Sequence, residues 1–219
     1  MTNKNISNQE AQEIFRLANI LYFKYGSYEK TKWMGLQAAK CPMDMWVYQE
    51  LMHKMNTDLL IETGTLMGGS ALFFAHMFDI LGHGKVVTVD LVKQENLPKH
   101  PRIHYINGSS TDQLVLNKIR GFSDQAKSTM VILDSDHKAE YKLKELNAYG
   151  EFVTAGNYMV AEDSAFDYYP AWPEYGPGPA TAVRDFMKTT QEFEVDRQQE
   201  KHLITFAPMA FLQKKSVRD

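Results

Sequence analysis

The sequence lacks the features that define several large protein classes. Its 219 residues contain one cysteine, Cys41, which excludes an intramolecular disulfide and a multi-cysteine metal site. Lysine and arginine number 24 against 27 aspartate and glutamate residues, which leaves a net charge of −3 and no basic excess for a nucleic-acid backbone. We therefore expect a protein of a reducing compartment that does not bind nucleic acid.

Long hydrophobic segments are also missing. No run of 18 apolar residues occurs, and residues 1–10 are polar, without the apolar stretch of a signal peptide. We expect no membrane span and a cytoplasmic location. The length and the hydrophobic content of 44% are typical of a globular domain that buries a full core.

The main positive feature is a regular alternation of two patterns. Short apolar runs typical of buried strands alternate with segments in which apolar residues recur at helical spacing. The runs cover residues 58–62, 85–90, 102–107, 128–134 and 157–162, and the helical segments between them cover 70–81, 111–120 and 139–149. Such strands indicate a parallel sheet with both faces covered. The sequence predicts a doubly wound, Rossmann-like α/β fold.

The two ends of the chain differ from this alternation. Residues 7–28 and 43–55 have helical spacing, Pro42 opens the second of these helices, and residues 33–42 are predicted to be irregular. We divide the chain into a helical or lid segment, residues 1–45, and a main domain, residues 46–219. After a predicted helix at 179–190, residues 193–196 and 202–206 alternate in polarity and predict a terminal hairpin.

The loop after the first strand is the first candidate site, because ligands of open α/β sheets bind beyond the carboxyl ends of the strands. Gly64 allows a sharp turn, and Gly68 lets the next helix begin close to a ligand carboxylate. A nicotinamide-dinucleotide site would need glycine where Leu66 stands, which weakens that reading. Asp90, at the end of the second strand, is suited to accept hydrogen bonds from both hydroxyls of a ribose, and Glu62 is suited to contact a ligand amine.

A second candidate site is acidic. Asp134 and Asp136 follow the fourth strand, and Glu162 and Asp163 follow the fifth. If these strands are neighbours, the carboxylates converge and repel one another unless they are protonated or bridged by a cation, and oxygen ligands suit Mg²⁺ or a similar ion. His137 and Lys138 lie beside the predicted metal and are the candidate general bases. Two further segments, residues 166–179 and 30–42, are candidate lids over the pocket.

Together these motifs resemble class I S-adenosylmethionine-dependent methyltransferases, and more narrowly the cephalosporin hydroxylase / rhamnosyl O-methyltransferase family. The resemblance is carried by residues 46–50 (WVYQE), 61–71 (IETGTLMGGSA), 81–84 (LGHG), 108–112 (GSSTD), 132–137 (ILDSDH), 175–179 (YGPGP) and 193–197 (FEVDR). It implies a seven-stranded, mostly parallel sheet with a C-terminal antiparallel hairpin.

The resemblance also implies roles for individual residues. The methionine part of S-adenosylmethionine would be held by Glu62, Gly64, Gly68 and Ser70. Asp90 would hold the ribose, and Ser110 and Thr111 would flank the adenine. Asp134 is assigned to both the cofactor site and the metal site, with Asp136, Glu162 and Asp163 as further metal ligands. Whether Asp134 or Asp136 binds the metal, and whether His137 or Lys138 is the base, stays open at this stage.

The sequence therefore predicts an O-methyltransferase that uses S-adenosylmethionine and a divalent cation. The acceptor is predicted to be a hydroxyl of a small molecule, and sugars, phenols and antibiotic-like metabolites all remain candidates. The alternatives are a hydroxylase-associated or non-methylating nucleoside-binding protein of the same family, an NAD-dependent oxidoreductase, and a binding protein with a vestigial pocket. Homo-oligomerisation is left open.

Overall fold

The computed structural model describes residues 7–216, which fold around a seven-stranded sheet. A separate pair of short strands comprises β1 (Lys32–Trp33) and β2 (Leu36–Gln37). The strands of the main sheet are β3 (Leu59–Thr63), β4 (Lys85–Asp90), β5 (Ile103–Asn107), β6 (Thr129–Leu133), β7 (Tyr158–Ala161), β8 (Phe193–Val195) and β9 (Phe211–Lys214). The helices are α1 (Asn8–Lys24), α2 (Pro42–Lys54), α3 (Gly69–Leu81), α4 (Gln113–Ser123), α5 (Ala139–Tyr149), α6 (Ala165–Tyr168) and α7 (Pro179–Thr189).

The strand order of the main sheet is β5-β4-β3-β6-β7-β9-β8. Strands β3 to β7 are parallel, and β9 runs antiparallel to both β7 and β8. This arrangement confirms the predicted doubly wound sheet with a C-terminal antiparallel hairpin. Every residue of β3, β6 and β7 is buried, as expected of central strands with both faces covered.

From β3 the sheet is extended on one side by β4 and β5 and on the other side by β6 and β7, so the strand order reverses between β3 and β6. A crevice is expected at this reversal point, at the carboxyl ends of the strands. Thr63 is paired with Leu133, and Leu133 is paired with Ala161, so the three central strands end at one level. Gly64, Asp134 and Glu162 follow these residues directly. The predicted neighbourhood of the fourth and fifth strands is confirmed, and it brings the acids after β6 and β7 to the same edge.

The second strand of the terminal hairpin was predicted wrongly. Residues 202–206 form no strand, and β8 pairs instead with Phe211–Lys214. The alternating pattern at 202–206 has a different cause. Phe206 is buried in a loop, and its backbone N–H donates to the carboxylate of Asp44 at 2.8 Å instead of to a neighbouring strand.

The N-terminal part departs from its sequence pattern in two places. Helix α1 ends at Lys24, four residues before the predicted end, and begins with a capping box in which Ser7 and Glu10 bond reciprocally. Residues 33–42, predicted to be irregular, contain the turn of the β1–β2 hairpin. Met34 and Gly35 have φ values of 49° and 87°, the left-handed conformation that a tight hairpin turn requires.

Two hydrophobic clusters support the site. The larger one packs helices on both faces of the sheet, and the smaller one gathers Phe23 of α1 with Cys41, Ala165, Ala171 and Phe206. None of the helices within residues 7–216 combines the length and the apolar character that a bilayer crossing requires.

Candidate active site

The turn after β3 depends on glycine at position 64. Gly64 has a φ of 90°, and a β-carbon at this position would lie 1.9 Å from the carbonyl oxygen of Asp134. Only a residue without a side chain allows β3 and β6 to end this close together. Gly68 also has a positive φ, 74°, and is the N-cap residue directly before α3. Of the two predicted glycines, Gly64 lines the cavity, whereas Gly68 does not and is packed against Pro98.

Asp90 closes this turn from the end of β4. Its Oδ2 accepts hydrogen bonds from the backbone N–H groups of Thr65 and Leu66, both at 3.0 Å, and its Oδ1 accepts from Val92 N–H at 2.9 Å. The same carboxylate lines the main cavity. Its contact with a ribose stays a prediction, and the structure adds a second role, which is to hold the glycine turn in place.

Glu62 and Ser70 occupy different depths of the site. Ser70 lines the cavity, whereas Glu62 is fully buried behind the lining and accepts a hydrogen bond from Thr88 at 2.8 Å. Burial raises the pKa of Glu62, and the ammonium group of Lys40, 4.0 Å away, opposes this shift. Direct contact of both residues with a ligand stays a prediction.

One end of the cavity is lined by hydroxyl groups from the turn after β5. Ser109 and Ser110 line the cavity, and Thr111 lies behind them, 3.3 Å from Ser109 Oγ. Ser110 was predicted from the sequence, and Tyr141 and Ser135, which lie beside it, were not. The assignment of this end to adenine stays a prediction.

The acidic residues meet at the carboxyl ends of β6 and β7. Asp134, His137 and Asp163 each offer one ligand atom, and these atoms lie within 4.8 Å of one another. Asp163 has a φ of 62°, unusual for a residue other than glycine and typical of strained positions at functional sites. Glu162 is buried beside them. The exposed Asp136 lies outside this group and accepts a hydrogen bond from the backbone N–H of Lys138 at 2.7 Å.

Lys40 is a central residue of the site that sequence reasoning missed. Its ammonium group forms ion pairs with Asp134 and, at 3.2 Å, with Glu162, and the side chain is only 1% exposed. Burial by itself lowers the pKa of Lys40, but Asp134, Glu162 and Glu62 raise it well above the usual value. No periodic pattern marks this lysine, because it lies between the β1–β2 hairpin and Pro42.

The donor set fits a divalent cation. Three carboxyl groups, those of Glu62, Asp134 and Glu162, lie within 4.0 Å of the Lys40 ammonium group, and Asp163 lies beside Asp134. Burial raises the pKa values of Glu162 and Asp163 well above their usual range, and the nearby Asp134 carboxylate adds to both shifts. A cation with oxygen ligands would relieve this repulsion.

The two candidate bases point in different directions. His137 lies against the cavity with 35% of its side chain exposed, and its Nδ1 is 3.2 Å from Asp163 Oδ2. Within residues 7–216 this buried nitrogen has no aligned hydrogen-bond partner. Burial lowers the pKa of His137, which keeps the ring neutral near pH 7. The exposed Lys138 instead extends over the ring of Tyr175, 5.6 Å from its centre.

Aromatic side chains form the remaining walls of the cavity, which has a volume of about 610 Å³. They come from α1 and the segment after it, from the predicted lid at residues 166–179, and from the loop before β9: Phe23, Tyr28, Phe166, Trp172, Tyr175 and Phe206. The second predicted lid, residues 30–42, contributes Ala38 and Ala39. Both segments therefore border the pocket.

A second cluster of ligand-type side chains, His76, Asp79 and His100, is better explained by structural hydrogen bonds. His76 Nδ1 accepts from Trp33 Nε1 at 2.9 Å, and His100 Nδ1 accepts from the backbone N–H of Arg102 at 3.2 Å. A neutral imidazole that accepts at Nδ1 carries its proton on Nε2. Because Arg102 also binds the carboxylate of Asp79, this cluster offers no set of free ligand atoms.

Comparison with known proteins identifies relatives along most of the chain. The family model for rhamnosyl O-methyltransferase/CmcI matches residues 25–215. A rhamnosyl O-methyltransferase of Mycobacterium leprae (strain TN) is 35% identical over 199 residues, which cover 87% of this chain and 87% of the relative. A rhamnosyl O-methyltransferase of Mycobacterium tuberculosis (strain ATCC 25618 / H37Rv) is 34% identical over 197 residues, covering 86% of this chain and 80% of the relative.

Solved structures share the fold at lower identity. A CmcI structure described as "cmcI-D160 Mg-SAM" superposes with a TM-score of 0.67 and 18% identity, covering 86% of this chain and 78% of that one. The MycE methyltransferase from the mycinamycin biosynthetic pathway, in complex with Mg, SAH and mycinamycin VI, gives a TM-score of 0.56 and 18% identity, covering 76% of this chain and 48% of that one.

The strand order, the glycine turn at the reversal point and the acids beside it define a class I methyltransferase. The chain belongs to the rhamnosyl O-methyltransferase/CmcI family, which confirms the resemblance seen in its motifs. It is accordingly an O-methyltransferase, as predicted.

Proposed function

We propose that this O-methyltransferase transfers the methyl group of S-adenosylmethionine to a hydroxyl of a small molecule, with a divalent cation such as Mg²⁺ in the site. One observation carries the proposal. A single cavity is lined both by Gly64 and Asp90 and by Asp134, His137 and Asp163. The CmcI neighbour described with Mg and SAM and the MycE neighbour described with Mg and SAH support both cofactors.

Asp134, Glu162 and Asp163 are the residues that would hold the cation. When bound, it supplies positive charge that lowers the pKa of an acceptor hydroxyl and offsets the repulsion among these acids. Lys40 contacts Asp134 and Glu162 from the buried side and so keeps both carboxylates in place. This arrangement favours Asp134 over the exposed Asp136 as the ligand after β6.

His137 is the proposed general base. With Nδ1 facing Asp163 at 3.2 Å, Nε2 is the ring nitrogen left to accept the proton of the acceptor hydroxyl. Because burial lowers the pKa of His137, the ring is in the neutral form that this step needs. Lys138 is less suitable, since it does not line the cavity and its ammonium group donates to the backbone carbonyl of Tyr175 at 3.4 Å.

We propose a sugar hydroxyl as the acceptor. The mycobacterial relatives are named rhamnosyl O-methyltransferases. The aromatic walls beside His137 supply apolar surfaces against which the C–H faces of a sugar ring pack, while its hydroxyls reach the acidic group. In this proposal the N-terminal segment (residues 1–45, of which residues 1–6 lie outside the described residues) acts as a lid from residue 7 onward, because Phe23 and Tyr28 line the cavity.

The test combines binding and turnover. Isothermal titration with S-adenosylhomocysteine measures the affinity of the nucleoside site. The rate of methyl transfer to a rhamnoside or a catechol, with and without Mg²⁺, measures turnover and its metal dependence. We expect the Glu162→Gln, Asp163→Asn double variant to lose turnover by at least about 100-fold while its nucleoside affinity changes little. Asp136→Asn serves as the matched control and is expected to keep its metal dependence.

Two results would contradict the proposal. Turnover that persists in excess chelator removes the metal role, and a wild-type chain that does not bind S-adenosylhomocysteine removes the methyl donor. Higher turnover of catechol than of rhamnoside would reassign the acceptor to phenols and leave the rest of the mechanism intact.

A further inference from the structure

The hydroxyl-lined end of the cavity rests on a buried carboxylate that the methyl-transfer mechanism does not use. Glu145 of α5 is fully buried, and its Oε1 accepts hydrogen bonds from Ser110 Oγ and Ser135 Oγ, both at 2.6 Å. Its Oε2 lies 3.3 Å from the ammonium group of Lys142, which also donates to Leu133 O at 3.0 Å. With two hydroxyl donors at Oε1 and an ammonium group beside Oε2, the carboxylate oxygens act as acceptors.

The carboxylate determines the direction of every hydrogen bond connected to it. A serine hydroxyl has one proton, and Ser110 donates that proton to Glu145. In the 2.9 Å contact between Ser110 and Tyr141, the tyrosine must therefore be the donor. Since the Tyr141 proton is then committed, the 2.9 Å contact with Ser109 requires Ser109 to donate to Tyr141. By the same reasoning, Thr111 donates to Ser109 across 3.3 Å.

Every hydroxyl proton in this chain of contacts is donated to another protein atom. Ser109, Ser110, Ser135 and Tyr141 line the cavity, and their oxygens have only lone pairs left to offer to a ligand. A surface of this kind binds N–H groups and disfavours carbonyl oxygens, because two acceptors that face each other leave both unsatisfied.

We propose that Glu145 is a positioning residue that makes this end of the cavity a hydrogen-bond acceptor and thereby selects a nucleobase with a 6-amino group, adenine, over the corresponding 6-keto base, hypoxanthine. The proposal rests on the proposed function, which places the nucleoside of S-adenosylmethionine in this cavity. It adds a source of base selectivity that lies behind the cavity wall and never touches the ligand.

The test compares two ligands on the full-length chain by isothermal titration, S-adenosylhomocysteine and its 6-keto counterpart S-inosylhomocysteine. In the wild-type chain we expect the adenosyl ligand to bind at least about tenfold more tightly. Glu145→Gln replaces one accepting oxygen with a donating amide, which lets the serine hydroxyls turn toward the ligand. We expect this substitution to reduce the preference about tenfold.

A milder variant keeps the test informative if Glu145→Gln does not fold with Lys142 unpaired. Tyr141→Phe removes the acceptor of the Ser109 proton, so Ser109 becomes free to donate to a keto oxygen. We expect the preference for the adenosyl ligand to fall about threefold or more. Tyr158→Phe is the matched control, because Tyr158 donates to Asp196 and does not line the cavity, and its preference should equal that of the wild type.

The outcomes separate the two proposals. If the wild-type chain binds neither ligand, the nucleoside site and the role of Glu145 are both wrong. If it binds the adenosyl ligand without preference over the inosyl ligand, or if Glu145→Gln and Tyr141→Phe weaken both ligands equally, only the role of Glu145 is overturned. Equal weakening is what a merely structural role for these residues would produce.

Discussion

At the scale of single residues, Lys40 compensates the negative charge of the carboxylates of Asp134, Glu162 and Glu62. Its ammonium group is enclosed by Asp134 and Glu162, with Glu62 at 4.0 Å. An ammonium group with this little solvent exposure is stable only because the carboxylates compensate its loss of hydration. The same contact reduces the repulsion among the acids before a metal ion binds, so the lysine and the proposed cation share one task.

Replacing this lysine should make the fold depend on the metal ion. We expect Lys40→Met to lower the free energy of unfolding by about 3–5 kcal/mol without metal, since it leaves buried carboxylates uncompensated. Added Mg²⁺ should recover more stability in the variant than in the wild type, which thermal unfolding with increasing Mg²⁺ measures. Lys142→Met is the matched control, because it removes a buried ammonium group that pairs with Glu145. An equal Mg²⁺ effect on both variants would contradict this prediction.

At the scale of secondary-structure elements, the turn between β3 and α3 is the most constrained junction of the fold. Gly64 has a positive φ, and the backbone of Asp134 packs against its α-carbon. The carboxylate of Asp90 accepts hydrogen bonds from the backbone N–H groups of Thr65 and Leu66. The turn, the end of β4 and the end of β6 are therefore positioned by one another. A change at this junction should reach both the nucleoside side and the metal side of the cavity.

Two glycine substitutions test this constraint. Gly64→Ala should destabilise the fold by at least about 2 kcal/mol and abolish S-adenosylhomocysteine binding, because the new methyl group has no space and the φ is strained. Gly121 lies within α4 with open space around its α-carbon, so Gly121→Ala should stabilise the chain by about 0.5–1 kcal/mol. Chemical denaturation and titration check both expectations. A Gly64→Ala chain with wild-type affinity would show that the turn adapts.

At the scale of the whole molecule, the fold combines two cores of different size. The larger one surrounds the sheet, and the smaller one joins α1 to α6, to the loop after α6 and to the loop before β9. In the smaller core, Phe23 stacks on Phe206 with ring centres 4.6 Å apart and packs against Phe166 at 4.9 Å. These same rings line the cavity, so the smaller core forms part of the aromatic wall over the acidic group.

Loss of Phe23 should therefore loosen the pocket cover without unfolding the sheet. In Phe23→Ala we expect faster hydrogen exchange together in residues 20–25, 165–172 and 204–206, with unchanged protection of β3 and β6. Phe74→Ala truncates a fully buried ring of the larger core. It should instead lower the free energy of opening measured by hydrogen exchange throughout the sheet, by about 3–5 kcal/mol. If Phe23→Ala lowered protection in β6 as much as Phe74→Ala does, the two cores would be one cooperative unit.

The elements that were predicted best have a strong local signal. Strand β4 and helix α5 have the predicted bounds, because an apolar run between glycine and aspartate, and apolar residues at helical spacing, are properties of the residues themselves. The second hairpin strand was misplaced, because alternation at residues 202–206 looks the same whether backbone N–H groups bind a strand or the distant Asp44 carboxylate.

The site residues also fall into those that the sequence revealed and those that it did not. The strand-end acids and the glycine turn were visible, since they stand at fixed positions relative to apolar runs. Lys40 and Glu145 were not visible, because neither stands at a strand end. Their importance depends on distances to Asp134 and Ser110, which are far away along the chain.

The sequence by itself determined the succession of the five parallel strands and the helices between them along the chain, the crevice edge at which polar residues collect, and the family to which the chain belongs. These follow from the period of apolar residues and from short motifs, both of which are local properties. Only the tertiary structure decided which charges are compensated and which way the hydroxyl groups donate. Ion pairing and hydrogen-bond direction depend on distances of a few ångströms between side chains that the sheet brings together from remote parts of the chain.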